Sequence, residues 1–115
     1  MVLDKDDFRR AIKMAAIFAR ESANIVKLDI GENELVISAN SPQVGETKSR
    51  LEAQVAGQAQ KIAFNFRFLL DLIEAGEEGA LVMELNDSLS PALFSFPKNS
   101  SFAHVIMPVR LQEEE

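Results

Sequence analysis

The run Glu46 to Ala56 alternates at every position. Thr47, Ser49, Leu51, Ala53 and Val55 fall on one face, and Lys48, Arg50, Glu52 and Gln54 on the other. Successive side chains of a strand point to opposite faces, so this pattern describes a long strand with one wet side. Such strands belong to antiparallel sheets that pack one face and solvate the other.

Further strands are expected at Asn24 to Ile30, Glu34 to Ala39, Lys61 to Phe64, Ala80 to Leu85, Pro91 to Phe96 and Phe102 to Val109. Val26, Leu28 and Ile30 share one face of the first, and Leu35 and Ile37 one face of the second. Turn chemistry separates them at Gly31-Glu32-Asn33, at Asn40 to Gly45, at Gly57, at Asn86 to Ser90 and at Pro97 to Ser101. The last strand runs into a lip, Met107 to Leu111, left over for contact with something else.

Two segments carry the period of a helix. In Asp4 to Glu21, Phe8, Ala11, Ile12, Ala15 and Ala19 recur every three or four residues and make one apolar face. Asp4 is the expected N-cap, with Asp7 in the first turn. Leu3 and Phe8 stand where a hydrophobic staple needs them. Little chain precedes Leu3, so the start reads as a domain boundary with a stub of strand before the helix. The second helix, Phe66 to Ala75, is capped by Asn65 and ended by Gly76, with Phe66, Leu69, Leu70 and Ile73 facing the core. Phe68 lies about 160° from that face at 100° per residue. It reads either as a ring covered by a neighbouring loop or as a contact for a partner.

The outer side of the first helix carries Arg10, Lys13 and Ile17, flanked by Met14 and Phe18 on one side and by Arg9 and Arg20 on the other. Its charges read either as a solvated face or as an edge that meets DNA. Ile17 and Phe18 read either as a wide core stripe or as a subunit contact. The order is thus helix, three strands, short strand, helix, three strands. A helix-plus-meander unit is used twice, with the junction near Lys61. Two helices packed on antiparallel sheet make an α+β fold.

Composition narrows the function. A chain of 115 residues fits one domain, and 47% apolar residues suffice for a core. There is no cysteine and one histidine, so cysteine zinc sites and multi-histidine metal sites are excluded. A net charge of −6 argues against tight autonomous binding to DNA. No apolar run reaches the ~20 residues that span a bilayer. The N-terminus lacks a signal-peptide pattern, which makes the cytoplasm the default. His104 sits mid-strand with no acid or nucleophile near it in sequence, and Glu46, Glu52 and Glu84 are scattered. The glycines match neither a phosphate loop nor a dinucleotide fingerprint. Neither an enzyme, a metal site nor a cofactor is expected.

Five stretches carry a family likeness: Ala15 to Ser22, Ile37 to Pro42, Ala63 to Asp71, Leu85 to Ala92 and His104 to Leu111. Together and in order they resemble the C-terminal, third domain of the bacterial DNA polymerase sliding clamp. The likeness covers residues 1–111; the acidic tail 112–115 extends past the usual end and is expected to be disordered. The resemblance implies a non-enzymatic processivity factor: a ring of two three-domain chains around duplex DNA, opened by a loader. DNA polymerase, clamp-loader subunits and other partners dock on it through short linear peptides. By the same resemblance the peptide pocket would use Asn65, Phe68, Leu89, Val105, Ile106, Met107, Pro108, Val109, Arg110 and Leu111. Arg9, Arg10 and Lys13 would face the hole and touch phosphates without reading bases. Ile17 and Phe18 would form the contact between subunits. Phe66 and Phe68 stand where family members usually carry Pro and Tyr, so the ring is kept and one hydroxyl lost. A free-standing clamp-like adaptor or inhibitor that binds the same peptides is the alternative reading.

Overall fold

The computed structural model describes residues 1–75, 79–97 and 99–110, without the side chains of 99–102. Its elements are β1 (Val2–Asp4), α1 (Lys5–Ala19), β2 (Ile25–Gly31), β3 (Glu34–Ser41), β4 (Gly45–Glu52), β5 (Gln60–Asn65), α2 (Phe66–Ala75), β6 (Ala80–Glu84), β7 (Ala92–Phe96) and β8 (Asn99–Ile106). Gly76, expected to end α2, the tail 112–115 and the lip residue Leu111 lie outside the described residues.

The chain is a strand, a helix and a three-stranded meander, then the same again. The strands form two four-stranded antiparallel sheets, ordered β4-β3-β2-β5 and β1-β6-β7-β8. Each unit lends its opening strand to the other unit's meander: β5 pairs with β2, and β1 with β6. This exchange makes the two units one body. Phe64 of β5 and Phe94 of β7 meet edge to face at 5.8 Å across the two sheets. Such an aromatic pair contributes about 1 kcal/mol beyond its buried area.

α1 begins where expected. The Asp4 carboxylate accepts a hydrogen bond from the Asp7 N–H at 3.0 Å, and Leu3 and Phe8 are both buried. The core face of α1 is rich in alanine: Ala11, Ala15, Ala16 and Ala19 are all buried. Small side chains let the helix axis lie close to the sheet and to α2. The helix stops at Ala19, two residues earlier than expected. Ala23 and Asn24 take positive φ angles of 60° and 65°, a left-handed conformation that a helix or strand cannot continue through. For that reason β2 starts at Ile25.

Other boundaries also differ from the sequence expectation, most of them by one residue, and three differ by more. β3 reaches Ser41, whose buried hydroxyl donates to the Glu21 carboxylate at 2.6 Å and accepts from the N–H groups of Gln43 and Val44. These bonds tighten the loop into a turn. β4 ends at Glu52 because its partner β3 begins at Glu34. The alternation continues beyond, since Gln54 bridges to Val2 and ties the first sheet to β1. β8 runs from Asn99 to Ile106, three residues earlier at each end than expected. Its ladder ends at Ile106 because β7 begins opposite, at Ala92. Pro108 has no N–H to continue it.

On α2 the buried residues are Phe66, Leu69, Leu72 and Ile73, with Leu70 only partly covered. The core face is therefore turned toward Leu72 relative to the expectation, and that rotation carries Phe68 toward the end of β8.

Candidate functional site

Among the described residues, the large apolar side chains left exposed fall into two regions, apart from Val44 at the β3–β4 turn. Phe68, Leu89, Val105 and Met107 belong to α2, the β6–β7 loop and the end of β8; Met14 and Ile17 lie on α1. The first region encloses space. A groove of about 430 Å³ lies between α2, which contributes Phe68, Asp71 and Leu72, and the end of β8, which contributes His104, Val105, Ile106 and then Met107. Its surface is mainly apolar. A second groove, of about 390 Å³, is lined by Lys61, Ile62 and Ala63 of β5, by Ser88 and Leu89, and by Val109 and Arg110.

Local chemistry explains each wall. Asn65 closes β5 and caps α2, accepting the Arg67 N–H at 2.9 Å, so strand turns into helix with no loop between. Phe68 therefore projects from the first turn, 55% exposed. Leu72, four residues on, lies on the same side of the helix. On β8 the alternation turns Val105 and Met107 outward and Ile106 into the core. The chain then leaves the second sheet: the Val109 N–H donates to the Ala63 carbonyl of β5 at 2.8 Å. Met107 to Arg110 is thus a strap passing from one sheet to the other and from the first groove to the second. Leu89, 56% exposed, is presented by a side-chain turn in which its N–H donates to the Asp87 carboxylate at 2.8 Å. The Leu89 N–H first, and then the Ser90 hydroxyl, hold the Asp87 carboxyl below the usual carboxylate range.

The residues singled out from sequence divide accordingly. Phe68, Val105, Ile106 and Met107 line the first groove; Leu89, Val109 and Arg110 line the second. Asn65 acts as the cap. Pro108 belongs to the strap and lines neither groove. Asp71, Leu72, His104, Lys61, Ile62, Ala63 and Ser88 join the grooves without having been singled out. Leu72 was legible from its four-residue spacing to Phe68. Lys61 was not, because its place depends on Val109 crossing to β5. His104 is half-buried, paired across the ladder with Phe94.

On α1, Arg9 pairs with Asp6 at 3.3 Å and Arg10 with Asp7 at 2.6 Å, each within one turn of helix, while Lys13 is exposed. Ile17 is exposed, whereas Phe18 is partly buried against the core. Among the described residues no cluster of three or more His, Cys, Asp or Glu is placed to hold a metal ion, and no helix is long and apolar enough to cross a membrane.

The family model for the DNA polymerase III beta subunit, C-terminal domain, matches residues 1–110. This chain belongs to that family. A beta sliding clamp of Chlamydia muridarum is 31% identical over 112 residues, 97% of this chain and 30% of the relative. The crystal structure of the DNA polymerase III beta subunit of Thermotoga maritima superposes with a TM-score of 0.92 at 30% identity, covering 96% of this chain and 30% of that one. The sliding clamp of Bartonella birtlesii, solved bound to griselimycin, superposes at 0.89 with 29% identity, over 96% of this chain and 30% of that one. The beta-subunit domain described here therefore spans about 30% of the length of these relatives. The two-unit architecture with exchanged strands is a clamp-domain fold.

Proposed function

We propose that this domain is the peptide-docking C-terminal unit of a sliding clamp, which acts in the cytoplasm as a replication processivity factor around duplex DNA. DNA polymerase and clamp-loader subunits would be held through short linear peptides laid in the grooves beside the strap. The observation that carries the reading is the apolar groove between Phe68 and Met107. An exposed aromatic and a flexible thioether, side by side over open apolar space, suit a surface that takes several related peptides.

The other surfaces have parts in the same reading. Ile17 and Phe18 would meet the neighbouring chain of the ring, with Phe18 also serving the core. Arg9, Arg10 and Lys13 would face the DNA. Two of these three cations already satisfy a carboxylate on their own helix, which suits a surface that must slide.

Griselimycin is a ready probe, since the Bartonella relative is solved with it bound. Isothermal titration should show it binding this domain, and Phe68→Ala should weaken that binding at least tenfold. Equal binding by the Phe68→Ala variant would remove the groove from the account.

A further inference from the structure

The two grooves carry opposite charge. Asp71 lines the groove beside Phe68, whereas Lys61 and Arg110 line the groove beside Leu89. None of these three makes an ion pair among the described residues. Arg67, one turn before Asp71 on α2, forms no ion pair with it, and the Asp87 carboxylate near Lys61 is held by Leu89 and Ser90. The strap joins the two ends. Fully extended, the three steps from Met107 to Arg110 reach at most roughly 10 Å.

We propose that the grooves form one bipolar track that selects partner peptides by charge order. The preferred occupant is an extended peptide with an apolar centre, a basic side chain at the Asp71 end and an acidic side chain at the Lys61–Arg110 end. The inference rests on the peptide-docking reading and adds direction to it. An apolar centre with unlike ends sets which way the peptide lies, its larger side chain favouring the more apolar groove beside Phe68. Opposite charges at the two ends favour one order and place like charges together in the other. The groups are exposed, so each contact is weak, and the two orders should differ about three- to tenfold at low ionic strength. Added salt should shrink the difference.

The test uses three acetylated and amidated peptides with the same phenylalanine-valine-alanine centre, whose bulky end fixes its direction. One carries glutamate before the centre and lysine after it, one the reverse, and one glutamine at both places. Titrated against the 115-residue chain, one charge order should bind about three- to tenfold tighter than the other, with the neutral peptide between them. The triple variant Asp71→Lys, Lys61→Glu, Arg110→Glu should reverse the preference. Asp71→Asn and Arg110→Gln alone should each reduce it, which keeps the test open if the triple variant fails to fold by circular dichroism. Equal binding of the two orders, or a preference unchanged in these variants, overturns the proposal. Failure of all three peptides to bind, the neutral one included, contradicts peptide docking itself.

Discussion

α1 and α2 hold equivalent places in the two units, and their outward faces behave differently. Each follows a short strand through a capped turn, with Asp4 at one and Asn65 at the other. Each buries a phenylalanine in its first turn, Phe8 and Phe66. Outside, α1 pairs two of its cations, Arg9 with Asp6 and Arg10 with Asp7, and leaves Lys13 exposed. α2 instead presents a bare ring, Phe68, over a groove whose one acid on that helix, Asp71, is unpaired among the described residues. A helix whose arginines are already paired can lie near a ligand without gripping it. A helix that leaves an aromatic ring and a carboxylate unanswered offers the contacts that the proposed peptide docking needs. One architecture used twice thus carries two different outward faces, made by side chains that never enter the core.

The largest effect that probes this contrast sits inside. Phe8→Ala should cost about 3–5 kcal/mol in urea unfolding, because Phe8 is fully buried. Phe68→Ala should change stability by less than about 0.5 kcal/mol while weakening ligand binding, because the ring is mostly in solvent. Comparable losses of stability in the two variants would make the two rings equivalent and break the comparison. Next come the caps. Asp4→Ala and Asn65→Ala should each cost about 1 kcal/mol, but only Asn65→Ala, at the root of the groove, should also lower peptide affinity.

Smaller effects sharpen the contrast. Replacing Asp6 and Asp7 by Asn frees two arginines, so the variant should elute from immobilised duplex DNA at higher salt than the parent. Unchanged elution would mean that α1 does not meet phosphate. The smallest effect belongs to Asp87. Its carboxyl titrates lower in the folded chain than its ordinary 3.8. The stability it confers is therefore complete above that ordinary value and is lost as pH falls through the lower folded one. Asp87→Asn should remove this part of the acid dependence, as acid titration followed by circular dichroism would register.

Much of the fold was written in local pattern. The alternation in β4, the staple and cap of α1, and the strand-to-helix junction at Asn65 all follow from neighbours in sequence. The division into two sheets does not. It depends on β1 and β5 each pairing with the other unit's meander, and short strands carry no mark of their distant partners. The end of β8 shows the same limit. Its apolar run continues past Ile106, but the ladder stops where β7 begins, and Val109 finds β5 instead. The candidate site inherits this split. Phe68 stood out because it departs from its helix's core face. Lys61 and Ser88 become neighbours of Val109 only through the crossing strap, so pattern alone could not place them.

The claim at the centre is that the groove between α2 and the end of β8 docks peptides. The most direct measurement is an amide NMR titration of the chain with the neutral phenylalanine-valine-alanine peptide. The account predicts shifts confined to Phe68, Leu72, Leu89 and the Val105 to Val109 segment, abolished by Phe68→Ala. Shifts centred on Lys13 and Ile17 of α1, or none at the groove at saturating peptide, would contradict it.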